Sequence, residues 1–128
     1  MIFMKKLILL NAFIMLLAFT ANAQTSKLEF ETKVHDFGSI QEDDGMVTID
    51  FEFTNDGDAP LMIYKVTASC GCTTPEWTQE PIPAKGTGFI KVSYNPKGRP
   101  GVFSKTVTVK SNSSDQPIIL QIKGEVIR

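Results

Sequence analysis

Two cysteines stand close together near the middle of the chain. Cys70 and Cys72 are separated only by Gly71, and they are the only cysteines among the 128 residues. Cα atoms two residues apart lie within about 7 Å, near the upper limit for a disulfide. A bent backbone can close such a ring, and we expect Gly71 to supply the unusual φ angle that the bend needs. The spacing therefore predicts either a small, strained disulfide or two neighbouring thiols.

Three kinds of chemistry fit this cysteine pair. It could be a structural link, or a disulfide that is easily reduced and exchanges with other thiols. Reduced, the two thiolates could bind a soft ion such as Cu(I), with Met62 or His35 completing the site if the fold brings them near. A structural zinc site would need four ligands, and the chain has only two cysteines and one histidine to supply them. We expect no cofactor, with Cu(I) as the alternative.

The surroundings that would make the pair a catalyst are not visible in the sequence. A thiol that exchanges rapidly needs a helix N-terminus or a cation beside it. No helix is predicted, and Lys65 and Lys85 are the cations that could approach. The chain has one histidine and no nucleophile elbow, so a hydrolase is not expected. A non-enzymatic role is favoured.

The rest of the chain has the pattern of a β scaffold. The clearest strand runs over residues 47–54, where apolar and polar residues alternate. Turn signals rich in glycine, proline, asparagine and aspartate separate shorter alternating runs, and no stretch has the apolar period of a helix. This pattern predicts an all-β fold, a single immunoglobulin-like antiparallel β-sandwich of about seven strands.

Some details of individual strands can also be predicted. Met62, Tyr64 and Val66 should share one face of the strand that begins near residue 61. Lys105 interrupts an apolar face, which predicts a bulge or an edge position there. Gly38 should mark a bend or bulge. Trp77, the only tryptophan, is a candidate anchor for a binding partner or a cap on the core.

The N-terminus has the pattern of a secretory signal peptide. Lys5 and Lys6 precede an apolar run from Leu7 to Phe19, and residues 21–23 form a small-x-small cleavage site. The apolar run is short for a membrane span, and we expect no membrane-spanning segment once the signal peptide has been cleaved. We predict a signal peptide over 1–23 and one domain over 24–128, exported to the periplasm or the cell exterior.

The charge of the predicted mature chain excludes one class of partner. Without Lys5 and Lys6, the 13 basic residues become 11, against 14 acidic residues, a net charge of −3. A protein that binds the phosphate backbone needs a basic face, so nucleic acid is not an expected partner.

Several stretches of the chain resemble a family of secreted bacterial domains of unknown function. They are residues 35–40, 51–61 and 101–109, and above all the run Ser69-Cys70-Gly71-Cys72-Thr73. These domains are similar to Hydin-type immunoglobulin-like folds. The resemblance implies an exported β-sandwich and carries no established activity.

The function expected from the sequence is an exported, non-enzymatic immunoglobulin-like domain. Its partner would be a protein or another component of the cell envelope, bound by loops at the ends of the sandwich. The alternative is a thiol–disulfide redox protein or a Cu(I)-binding protein that uses Cys70 and Cys72.

The export prediction can be tested by peptide mass analysis of secreted protein. Cleavage after Ala23 should leave Gln24 as the first residue, because the small residues before it match the peptidase site. An N-terminal peptide that still contains Leu7 to Phe19 would contradict this prediction.

Overall fold

The computed structural model describes residues 24–128; the predicted signal peptide over 1–23 lies outside them. Eight strands form two sheets of four. They are β1 (Leu28–Phe30), β2 (Val34–Gln41), β3 (Val47–Asn55), β4 (Ile63–Ala68), β5 (Thr73–Trp77), β6 (Thr87–Tyr94), β7 (Gly101–Ser111) and β8 (Ser114–Ile127). The only helical element in this part of the chain is a 3-10 turn, Glu42–Asp44.

The two sheets confirm the predicted β-sandwich. One sheet has the strand order β1-β3-β6-β5 and the other has the order β2-β8-β7-β4. All neighbouring strands are antiparallel except β2 and β8, which are parallel. The sequence did not predict this parallel pair, because alternation within a strand does not identify the strand's neighbour.

The core is formed by the inward faces of the central strands. On the central strands, eight aliphatic or phenylalanine side chains are at most 1% exposed: Phe51, Phe53, Ile90 and Val92 from one sheet, and Val107, Val109, Leu120 and Ile122 from the other. Burying one such side chain stabilises a fold by about 1.5–3 kcal/mol. The ion pairs of residues 24–128 each involve at least one well-exposed side chain, and such pairs contribute at most about 1 kcal/mol each. The core therefore dominates stability.

Strand β4 departs from the predicted alternation. Ile63 and Val66 are both buried, whereas Tyr64 is 65% exposed. The register with β7 shifts between Ile63 and Lys65, so Tyr64 is an extra residue in the ladder. The prediction that Tyr64 and Val66 share a face was wrong, because a bulge reverses the alternation.

The predictions for Lys105 and Gly38 hold. The register of β7 with β8 is unbroken around Lys105, so there is no bulge. Instead, β4 ends opposite Val107, and at Lys105 strand β7 is paired with β8 alone, which is the predicted edge position. Gly38 has φ +70° beside a register shift in β2, as expected for a bulge.

All four edge strands are short or interrupted. β1 has three residues, β2 is interrupted at Gly38, β4 has the extra residue Tyr64, and β5 contains Pro75. Bulges, prolines and short edges oppose pairing with a strand of another chain. The fold thus disfavours binding by strand addition.

One buried polar side chain joins the loops at the end of β3. Asn55 is 0% exposed, and its Oδ1 accepts hydrogen bonds from the N–H groups of Lys27 and Gly57, both at 3.1 Å. Its Nδ2 donates to the carbonyl oxygens of Ala59 at 2.7 Å and Ile82 at 3.0 Å. All four hydrogen-bonding capacities of this amide are satisfied.

Asn55→Ala should lower the free energy of unfolding by about 3 kcal/mol, because two donors and two acceptors lose their partner. Urea denaturation measures the change. Asp56→Asn is the matched control, since it removes only an exposed ion pair and should cost less than about 1 kcal/mol. Equal costs for the two variants would show that the Asn55 network does not stabilise the fold.

Candidate functional site: the Cys70–Cys72 corner

The two cysteines lie where the chain changes sheets. β4 ends at Ala68 in one sheet, and β5 begins at Thr73 in the other. Residues 69–72, which we call the cysteine corner, make the crossing between them. Packed sheets lie about 10 Å apart, so four residues are enough only for a direct path.

Several short links close this corner. Cys70 and Cys72 are joined by a disulfide, with their Cα atoms 5.3 Å apart. The backbone N–H of Cys72 donates a hydrogen bond to Sγ of Cys70 at 3.1 Å. The N–H of Thr73 donates to the carbonyl oxygen of Cys70 at 3.2 Å. The corner is therefore fixed by its own local bonds.

The hydroxyl of Thr73 contacts both sulfur atoms. Thr73 is 3% exposed, and its Oγ1 lies 3.7 Å from Sγ of Cys72 and 4.0 Å from Sγ of Cys70. Disulfide sulfurs carry no proton, so only the hydroxyl can donate in these contacts. Thr73 was not predicted as a site residue, and its position directly after Cys72 was the only signal for such a role in the sequence.

Further hydrogen bonds attach the corner to its neighbours. The N–H of Ser69 donates to the carbonyl oxygen of Thr106 at 2.9 Å, and the N–H of Thr106 donates back to Oγ of Ser69 at 3.1 Å. The N–H of Asn95, directly after β6, donates to the carbonyl oxygen of Cys72 at 3.0 Å. Both sheets therefore hold the corner in place.

A cation lies near this network. The Arg99 guanidinium donates from Nη1 to the carbonyl oxygens of Lys97 at 3.1 Å and Asn95 at 3.5 Å. Burial raises the pKa of the neighbouring Tyr94 phenol, and the positive charge of Arg99 partly opposes that rise. Arg99 was not predicted as a site residue, because the sequence does not show that the loop after β6 lies beside the cysteine corner.

The lysines considered from the sequence lie elsewhere. Lys85 lies at the opposite end of the sandwich, where its Nζ contacts Asp56 Oδ1 at 3.3 Å. Lys65 is exposed on β4 and pairs with Lys110 in register. Neither reaches the disulfide through a hydrogen bond within residues 24–128.

The structure does not assemble the copper ligands considered above. Met62 precedes β4 and Cys70 follows it, so about 20 Å of strand separates them. His35 is on β2, at the other edge of the sheet from β4, and its ring packs 4.6 Å from that of Phe37. Within residues 24–128, no three His, Cys, Asp or Glu side chains are grouped to hold a metal ion. Cu(I) binding by the two thiolates alone stays a prediction.

Trp77 lies at the end of β5, opposite Ile90 in register. It is half-buried and packs against the hydrophobic core. This position allows it both to cap the core and to offer part of its ring to a partner. Its role as an anchor stays a prediction.

Gly71 does not have the role that the sequence suggested. Positive φ angles occur at Gly38, Gly45, Gly98 and Gly101 among the described glycines, but not at Gly71. A Cβ built on Gly71 would meet nothing within 4 Å. The expectation that the disulfide needs an unusual φ at Gly71 was wrong, because the bend is made with ordinary backbone angles.

Gly71→Ala should leave the disulfide intact and change the free energy of unfolding by less than about 1 kcal/mol. Urea denaturation and intact mass after thiol alkylation test both points. Gly45→Ala is the matched control, since Gly45 also has open space but adopts φ 89° and ψ −171°. It should cost about 1–3 kcal/mol. Free thiols in Gly71→Ala, or a cost as large as that of the control, would contradict this prediction.

The fold is similar to those of several solved structures. A protein of unknown function from Porphyromonas gingivalis W83 has 18% identity and a TM-score of 0.69, covering 82% of this chain and 49% of its own. The secreted serine protease VesC from Vibrio cholerae has 14% identity and a TM-score of 0.58, covering 78% of this chain and 23% of its own. WR4, a C. elegans MSP family member, has 12% identity and a TM-score of 0.51, covering 80% of this chain and 99% of its own. At such identities the likeness concerns the fold alone.

The chain spans about half the length of the P. gingivalis protein. No curated protein sequence matches it. The part of the chain that the structure describes contains no helix with the length and hydrophobicity of a membrane span.

The family can be assigned from the sequence itself. Residues 28–126, which run from the start of β1 to the last residue but one of β8, match the family described as Protein of unknown function (DUF1573). This match includes the cysteine corner and both sheets. The chain belongs to the DUF1573 family.

Proposed function

We propose that this chain is an exported, non-enzymatic binding module. It contacts a protein or another component of the cell envelope through the end of the sandwich that carries the cysteine corner. The observation that supports this proposal most is the pre-ordered arrangement of the loops there. Rigid loops on a β scaffold lose little conformational entropy when a partner binds.

Four segments from different parts of the chain meet at this end. The cysteine corner accepts a hydrogen bond from the N–H of Asn95, the first residue of the β6–β7 loop. In that loop, the N–H of Gly98 donates to Oε1 of Glu42 in the 3-10 turn at 2.9 Å. The other carboxylate oxygen of Glu42 lies 3.7 Å from Nε of Arg128. These bonds support one continuous, ordered surface.

The charges of this end suit a polar partner. Lys97 and Arg99 are exposed on the β6–β7 loop, and Asp43 and Asp44 are exposed on the turn beside it. Charges of both signs at the rim of an interface mainly provide specificity and faster association. The interrupted edge strands also favour a contact through loops over one through strand addition.

Export is supported by two independent features. The predicted signal peptide directs the chain out of the cytoplasm. Disulfides persist in the oxidising compartments outside the cytoplasm and are rare within the cytoplasm. The non-enzymatic part of the proposal rests on the composition, which offers a single histidine and no nucleophile elbow.

Photo-crosslinking in the producing cells tests which end binds. A photoreactive residue at position 97 should give a discrete crosslinked product, because Lys97 is exposed at the cysteine end. The matched control is position 115, where Asp115 is also exposed, beside the β7–β8 turn at the other end. A product from position 115 alone, or from neither position, would contradict the proposed surface.

A further inference from the structure

We propose that the cysteine corner is a thiol–disulfide exchange site with a fixed direction. Cys70 is the sulfur that an incoming thiolate attacks, and Cys72 is the sulfur that leaves. The co-reactant is a thiol, carried by a small molecule or by a protein. This activity goes beyond the binding role proposed above and does not depend on it.

The two sulfurs differ in access. Cys72 is 5% exposed and belongs to the hydrophobic core, whereas Cys70 is only partly buried and packs against that core. Gly71, which lies between them, is exposed and carries no side chain that could cover Cys70. A thiolate arriving from solvent therefore reaches Cys70 first.

The hydrogen-bond donors around the pair are also unequal. The N–H of Cys72 points to Sγ of Cys70 at 3.1 Å, so a thiolate on Cys70 would have a donor already in place. The Thr73 hydroxyl lies closer to Sγ of Cys72, at 3.7 Å, and can donate to that sulfur as it takes up the bonding electrons. Each sulfur thus has its own donor for one step of the exchange.

The exchange proceeds in two balanced steps. An external thiolate forms a bond to Sγ of Cys70, and the electron pair of the broken S–S bond moves to Sγ of Cys72, which takes a proton from water. A second external thiolate then attacks the external sulfur of the mixed disulfide and releases Cys70 as a thiolate. The pair is reduced to two thiols while two external thiols are oxidised to a disulfide. The reverse sequence oxidises the pair.

Reduction loosens the corner, but it removes none of the hydrogen-bond partners that attach the corner to the two sheets. The bonds from Thr73 to the Cys70 carbonyl, from Asn95 to the Cys72 carbonyl and between Ser69 and Thr106 involve no sulfur atom. The reduced thiols therefore stay at the same corner, close enough to form the disulfide again.

Trapping the mixed disulfide tests the direction. The exported protein, as purified from the producing cells, is treated with reduced glutathione, quenched with a maleimide and analysed by tandem mass spectrometry. Glutathione should be found on Cys70 and the maleimide on Cys72. Glutathione on Cys72, on both residues equally, or on neither while the urea-unfolded protein does react, would overturn the proposal.

A pair of single-cysteine variants tests the same point whatever the redox state of the purified protein. The Cys70 thiol of Cys72→Ser should react with an aromatic disulfide reagent about tenfold faster or more than the Cys72 thiol of Cys70→Ser. In concentrated urea the two rates should converge, because the difference comes from the fold. Equal rates in the folded variants would overturn the proposal, and circular dichroism verifies that both variants are folded.

Discussion

The candidate site depends on the crossing from β4 to β5, one of five connections in the described chain that pass between the two sheets. Between Ala68 and Thr73 the chain must leave one sheet and start an edge strand of the other. Sheets pack about 10 Å apart and five Cα steps reach at most about 18 Å, so the chain has to cross between the sheets without a long detour. The Cys70–Cys72 link holds its middle at a Cα separation of 5.3 Å. The disulfide therefore lies within the segment that connects β4 to β5.

The disulfide fixes this corner without holding the sandwich together. A ring of three residues removes little freedom from the unfolded chain, and the chain-entropy relation gives about 1.6 kcal/mol for it. Each of the eight core side chains named above contributes about as much or more. The fold can therefore persist when the pair is reduced, which a reversible thiol site requires.

The sequence predicted the sandwich and singled out the cysteine pair as a candidate site, but it did not predict the contacts around that pair. The strict alternation around Phe51 and Phe53 indicates that one face of β3 is buried. Neighbouring residues alone are enough to recognise this pattern. The extra residue Tyr64 in β4 follows from pairing with β7, which a local pattern does not contain. The contacts of Thr73 and Asn95 with the corner likewise depend on tertiary structure. Long-range pairing is thus what the sequence pattern lacked.

Amide hydrogen exchange of the oxidised and the reduced protein tests most directly whether the corner is independent of the core. Reduction should speed exchange at Thr73 and Asn95, whose acceptors are the carbonyl oxygens of the two cysteines. Exchange at Val92 and Val107, in the centres of the two sheets, should stay unchanged. A comparable increase at Val92 and Val107 would contradict the account, because the disulfide would then stabilise the whole sandwich.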